Sequence, residues 1–452
     1  MHTYARTYIH TCNQQVAIDA WTVRRGEISG IRPSLSAAAF PGVPSGNPPS
    51  VIVSYTINGT YNRPGYHFGY ANWDSPVWRS TGLYALPGQA ITVTLSTLSA
   101  VGRGLQVQIG AHTDDLTGKA TWYRVPQIVN RFDLNTTITS AANPLGGLVF
   151  ILVPVGATLG SVQITIGGAI RAPYFRLNVT QLNDWNSTIR NYPAPWAELD
   201  SGKFVLMLPS RVIRNITNPV PLLEHWNLVM NHMASLANIT SARAREERFL
   251  VDADISAGWM HSGYPIMAAD MYVCMYIHVW MHVQAKGAWG PYHELGHNHQ
   301  WSEMQFSGTT ESFVNLFTVY VLERTGVPPT AWANWDNVSP TGRAALRAKY
   351  FADGANWARD WNVWVALDSY LSLKEEFGWI FYRRLYIAYQ QMPLPLPADN
   401  VQTWIQTSSK LAGVNLVPFY QKWNFTVTQD TINAVASLPT WTSNPFNEQG
   451  YN

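Results

Sequence analysis

Charge is scarce in this chain. Asp, Glu, Lys and Arg together make up 13% of its 452 residues, against roughly 25% in an ordinary soluble protein. The balance between signs is nearly even, +2 at pH 7, so no basic footprint exists for a nucleic-acid partner and that class is excluded. The densest charged run, Arg243-Ala244-Arg245-Glu246-Glu247-Arg248, mixes both signs and reads as the solvated face of a helix, within a helix expected over 241–249. Cysteine is nearly missing as well. Cys12 and Cys274 cannot build a disulfide framework, and neither belongs to a CxxC pair, so a cysteine zinc site is excluded. No apolar run reaches the roughly 18 residues a membrane span needs; the nearest, over 145–154, is broken by glycines. The first twenty residues show no apolar core of a secretory signal.

Aromatic and neutral polar residues fill the gap. The 20 Trp and 22 Tyr supply core, with a remainder suited to amphipathic surface contacts such as those with sugars. Eight N-x-[ST] sequons, at Asn58, Asn135, Asn178, Asn186, Asn215, Asn238, Asn337 and Asn424, exceed what composition supplies and point to an extracellular, glycosylated protein.

The length implies two or three domains. Residues 1–77 form a proline- and glycine-rich lead-in with one strand over 51–57. Over 78–195, short β-rich runs at 90–95, 105–109, 148–153 and 161–166 alternate with turn residues, the pattern of a β-sandwich. Beyond Trp196 the signals become helical, with helices expected over 222–236, 312–324, 371–391 and 401–411 and a stiff proline connector over 393–397. Residues 271–283 alternate apolar and polar as a strand does, which puts His278 and His282 on one face with no carboxylate to complete a metal set. The expected class is therefore α+β: a sandwich over 78–195, a mainly helical domain over 196–360 and a helical C-terminal region over 361–452.

The chemistry is concentrated in His293-Glu294-Leu295-Gly296-His297. On a helix, positions i and i+4 lie about 40° apart around the axis, so both imidazoles leave one face, one turn apart, and can share a Zn²⁺. Glu294, rotated about 100° from His293, stands beside such a metal and can take a proton from the attacking water. Pro291 suits the first turn of that helix. The same motif also arises in helices that bind nothing, so a third ligand has to be found. Glu303 lies six residues past His297, where one class of zinc peptidase places its third ligand, but the glycine its turn needs is here Gln300. Glu311 has the better context. It follows the turn stretch Ser307-Gly308-Thr309-Thr310, opens a helix with Phe313, Leu316, Phe317, Tyr320 and Val321 on an apolar stripe, and stands one turn before Asn315, placed to orient a metal-bound imidazole. His299 points away from the metal. His261, Tyr264 and Tyr292 are candidates for stabilising an oxyanion.

The stretch Trp289-Gly290-Pro291-Tyr292-His293-Glu294-Leu295-Gly296-His297-Asn298-His299-Gln300 resembles the enhancin-like peptidases, peptidase family M-60. Further segments agree in order, among them Ser80-Thr81-Gly82-Leu83-Tyr84, Ala172-Pro173-Tyr174-Phe175, Pro195-Trp196-Ala197-Glu198-Leu199 and Ser262-Gly263-Tyr264-Pro265-Ile266. The likeness covers roughly residues 78–435. It implies a gluzincin in which His293, His297 and Glu311 hold one zinc, Glu294 is the general base, and the substrate is a mucin or another heavily glycosylated protein. A secreted zinc metalloendopeptidase is the resulting expectation. The alternatives are a catalytically silent interaction module of the same fold, which lost ligands would mark, and a carbohydrate-binding protein with an incidental metal.

Overall fold

The computed structural model describes residues 28, 30–62, 68–270, 287–356 and 360–443. The alternating stretch over 271–283, with His278 and His282, lies outside them, as do Cys12 and Cys274. The chain divides into two compact units. The first holds residues up to 67, 72–227 and 243–278; the second holds 68–71, 228–242 and 279–452.

The first unit contains the sandwich. Strands β1 (Val51–Tyr61), β8 (Ala157–Arg171), β3 (Ile91–Leu95) and β6 (Ile138–Ala141) make one leaf. Strands β5 (Asn130–Asp133), β4 (Gln106–Ile109), β7 (Gly147–Val153) and β2 (Val77–Ala85) make the other. The leaves join where the end of β8 pairs with β2, Leu83 opposite Arg171 and Tyr84 opposite Ile170. Successive side chains on a strand alternate faces. The register Tyr55↔Ile164 and Ile57↔Val162 therefore turns Ile57, Val162 and Ile164 inward, onto Val93, Val107 and Ile151 from other strands. Because β1 runs along β8 for most of its length, residues assigned above to the lead-in supply a sandwich strand.

Beyond Trp196 the helical expectation holds only in part: the helix expected over 222–236 is there as Val220–Leu236, but it is set among strands, the first of which precedes Trp196. Strands β9 (Tyr174–Arg176), β10 (Trp196–Asp200), β11 (Phe204–Pro209), β12 (Glu247–Asp252), β13 (Met260–His261) and β14 (Ile266–Ala269) form a second, mixed sheet in the order β13-β14-β12-β11-β10-β9. Its central strands are buried on both faces, so their sequences show no period of two. The charged run at 243–248 is corrected here: it is no solvated helix. Arg245, Glu247 and Arg248 are buried, and the last two lie in β12. Glu247 meets Arg243 at 2.6 Å. Arg248 donates to Glu198 Oε1 of β10 at 3.1 Å, to Glu246 Oε1 at 2.5 Å and to the Trp78 carbonyl of β2 at 2.7 Å. One guanidinium thus ties the second sheet to the sandwich.

The second unit is helical. Helices α1 (Trp289–His297), α2 (Thr310–Arg324), α3 (Pro340–Ala352), α4 (Val363–Gln390), α5 (Asn400–Ala412) and α6 (Val417–Lys422) follow one another. Between α4 and α5 the 393–397 connector carries no regular structure. Helix α4 begins earlier than its sequence suggests and is interrupted at Gly378, whose φ of 69° breaks the helical run. Helix α2 is the axis of the unit. Every residue from Ser312 to Leu322 is buried, so the apolar stripe expected on it is in fact a wholly covered surface. Around its start, Phe306, Phe313, Tyr370 and Trp404 make edge-to-face contacts with ring centres 5.3–6.0 Å apart, one use of the aromatic surplus. Helices from both sides of residue 360 therefore share one core.

Candidate metal centre

Helix α1 is short, with Pro291 in its first turn, where a missing N–H costs nothing. Its buried face holds Tyr292, Leu295 and Gly296, and its half-buried face presents His293, Glu294 and His297. Gly296 decides how closely α2 approaches. A Cβ there would lie 2.8 Å from Val314 Cγ2 and 3.2 Å from both the Val314 carbonyl oxygen and Phe317 Cβ. That close approach brings the first turn of α2, and with it Glu311, to the two imidazoles.

The three groups converge. His293 Nε2 and His297 Nε2 stand 3.1 Å apart, and Glu311 Oε2 lies 3.0 Å from the first and 3.3 Å from the second. The ligand atoms of all three fall within 4.8 Å of one another. The rings meet at 90° with centres 4.6 Å apart. Two histidines and a carboxylate are the donor set of catalytic zinc sites that keep one position open. Glu303, the rival third ligand, sits in a 3₁₀ turn (Ser302–Met304), exposed and accepting from Ser302 Oγ at 2.7 Å. It is not among the converging groups.

Asn315 fixes the tautomer of His293. Its amide nitrogen donates to the Glu311 carbonyl at 2.8 Å, so its oxygen faces His293 Nδ1 at 2.9 Å and accepts the proton there. The lone pair is left on Nε2, toward the shared point. Gln300, which the motif reading passed over, does the same for His297. Its side-chain amide lies 2.7 Å from His297 Nδ1 while Gln300 Oε1 is buried with no partner. A half-turn of that amide, which changes no heavy-atom position, puts Oε1 on the Nδ1 proton and leaves Nε2 for a metal. The sequence signal is only its place three residues after His297, where the chain has just left the helix.

Burial and the neighbouring His293 push His297 down to about 4. Burial also disfavours charge on His293, but bonds to Glu311 and Asn315 outweigh it and hold His293 above its ordinary value. The His293 contact draws Glu311 below the usual carboxylate range.

Tyr292 is fully buried. His299 is buried, with Nδ1 2.8 Å from the Leu295 carbonyl. In the first unit, Tyr264 OH accepts from the Trp78 N–H at 3.3 Å and His261 Nε2 lies 2.8 Å from Asp114 Oδ2.

The profile of the family described as Peptidase M60, enhancin and enhancin-like, matches residues 168–424, and that of the N-terminal domain of M60-like peptidases matches 57–167. The chain belongs to this family. The family is in general zinc-dependent. Among curated relatives, TRPM8 channel-associated factor 2 of Homo sapiens is 40% identical over 373 residues, 82% of this chain and 40% of the relative. The chain spans about two fifths of the length of the curated relatives it matches. Among solved structures, the catalytic module of the metalloprotease ZmpA from Clostridium perfringens aligns with a TM-score of 0.64 at 12% identity, covering 86% of this chain and 79% of that one. IMPa from Pseudomonas aeruginosa, in complex with an O-glycopeptide, aligns with a TM-score of 0.60 at 15% identity, covering 86% and 52%. These two likenesses are ones of fold. Among the described residues no helix is long and apolar enough to cross a membrane.

Proposed function

We propose that this chain is a secreted zinc metalloendopeptidase that cleaves glycosylated, mucin-like proteins. The observation that carries the reading is the convergence of His293, His297 and Glu311 with an imidazole-orienting partner behind each histidine. Zinc, when bound, supplies Lewis acidity that polarises the peptide carbonyl and lowers the pKa of a water to about 7. Glu294, half-buried on the same face of α1, accepts a proton from the attacking water as its oxygen bonds to the carbonyl carbon. It then passes that proton to the amide nitrogen as the C–N bond breaks, giving a carboxylate and an amine. Asn315 and Gln300 hold the two rings so that only their Nε2 atoms face inward.

The substrate class is supported by the aromatic-rich, charge-poor composition and by the O-glycopeptide bound to the IMPa neighbour. Binding energy from a sugar can be used to orient the reacting carbonyl, so removing the sugar lowers turnover and not only affinity. We expect an O-glycosylated mucin-like peptide to be cut and the same peptide without glycan to be cut little or not at all, as read by mass spectrometry of paired digests. Equal rates on both would leave a zinc peptidase without glycoprotein specificity. Secretion is supported by the sequons, since none of the eight asparagines is buried; mass lost on N-glycosidase treatment of protein from culture medium is its test.

A second reading is favoured by the 40% identity to a protein named a channel-associated factor. On that reading the chain works by association. Partner capture that Glu294→Gln leaves intact, with no cleavage of any peptide by the parent, would mark it.

A further inference from the structure

Glu311 reaches the two histidines from an open position. Its side chain is 58% exposed, and among the described residues that side chain bonds only to His293 and His297. A zinc ligand has to land within about 0.2 Å of its place, so the backbone at the start of α2 must set where this carboxylate reaches. Glu311 is the second residue of that helix, two past the N-cap Thr309.

An N-cap threonine ordinarily turns its hydroxyl onto an N–H of the first helical turn. Thr309 does not. Its hydroxyl donates to the Phe306 carbonyl at 2.9 Å, beside its own N–H at 3.1 Å, which closes the turn leading into the helix. Its carbonyl accepts from the N–H groups of Ser312 and Phe313 at 2.9 and 2.8 Å. With its proton given to Phe306, Thr309 Oγ1 accepts from the Tyr370 hydroxyl at 3.0 Å. Thr309, Phe306 and Tyr370 are all buried. Tyr370 stands on α4, its ring against Phe306, Phe313 and Trp404 with centres 5.4–5.8 Å apart. Its carbonyl accepts from the Tyr382 hydroxyl at 2.6 Å.

We propose that Tyr370 is a positioning residue for the metal centre: by holding Thr309 it fixes the first turn of α2 and so delivers Glu311 to the two imidazoles. Packing against three aromatic rings needs no hydroxyl. What tyrosine adds over phenylalanine is one directed bond, and that bond goes to the residue two before the ligand. Apolar contact is non-directional, whereas a buried hydrogen bond fixes both distance and angle. Gly296 permits the close approach of α2, and Tyr370 holds the end of α2 that carries the ligand. The inference rests on the reading of His293, His297 and Glu311 as zinc ligands and deepens it.

The test is zinc affinity, read by competition with a chelator, on the full chain and four variants: Tyr370→Phe, Tyr382→Phe, Glu311→Ala and the double variant Glu311→Ala with Tyr370→Phe. Tyr370→Phe keeps the ring and removes the bond. It should lower zinc affinity by about tenfold, the low end of the loss seen for groups that orient a ligand directly. Tyr382→Phe removes a hydroxyl from the same core without touching Thr309, and should bind zinc as the parent does. A role in packing alone would move both alike. In the Glu311→Ala background Tyr370→Phe should have no further effect on zinc affinity, because the hydroxyl acts through that ligand. Parent-like affinity in Tyr370→Phe, an equal loss in Tyr382→Phe, or a loss that persists in the Glu311→Ala background would overturn the proposal. A parent that binds no zinc, or a Glu311→Ala protein that binds it as tightly as the parent, would overturn the zinc reading and the proposal with it.

Discussion

Glu311 and Glu303 are eight residues apart and chemically identical, yet only one can complete the metal centre. Glu311 Oε2 lies within 3.3 Å of both imidazole nitrogens, while Glu303 is turned to Ser302. Glu311→Ala should therefore leave two ligands and no longer retain stoichiometric zinc after dialysis, whereas Glu303→Ala should retain it. Asn315→Ala and Gln300→Ala should each cost about 10–100-fold in zinc affinity or activity, the usual worth of a partner that fixes a ligand's tautomer. Metal analysis and competition with a chelator read all four. A Glu303→Ala protein that empties while Glu311→Ala stays loaded would refute the assignment. The two converging histidines were legible in the sequence because a spacing of four on a helix fixes direction, and Glu311 because a turn stretch precedes it and Asn315 follows one turn later. Gln300 was not legible, because it lies past the helix end, where spacing says nothing about direction.

At the scale of elements, the centre depends on how closely α1 and α2 approach. Gly296→Ala puts a methyl group into space held by Val314 and Phe317. Overpacking of this kind costs about 1–3 kcal/mol, and because α2 carries Glu311 the variant should lose zinc affinity as well as thermal stability. Unchanged affinity would show that the approach is not what sets the site. The other test at this scale is Arg248. Replacing it by Met leaves the buried Glu198 without its cation, and breaking a buried pair from one side costs about 3–5 kcal/mol. Denaturant unfolding reads the loss, and a change under 1 kcal/mol would contradict the role given to this pair. The sandwich strands at 90–95, 105–109, 148–153 and 161–166 were legible because short β-rich runs alternate there with turn residues. The second sheet was not. Phe204–Pro209 is buried on both faces and shows no alternation, and in Glu247–Asp252 two of the buried charges, Arg248 and Asp252, meet opposite charges in distant parts of the chain, Glu198 and Arg124. Pairing of that kind cannot be read from local composition.

For the whole molecule, the aromatic rings divide by where they sit. Most rings fill cores, as Phe306, Tyr370 and Trp404 do in the second unit, and a few, Trp259 and Tyr123 above all, face solvent in the first. The paired glycosylated and bare peptides test whether the proposed peptidase reads sugar beside the scissile bond. The central claim is narrower: Glu294 moves the proton at a zinc held by His293, His297 and Glu311. It is tested most directly by measuring zinc content and turnover of the parent and of Glu294→Gln side by side. Both proteins should hold one zinc per chain, and the variant should turn over about 10²–10⁴-fold more slowly. A Glu294→Gln protein that keeps its zinc and cleaves as fast as the parent would contradict the account.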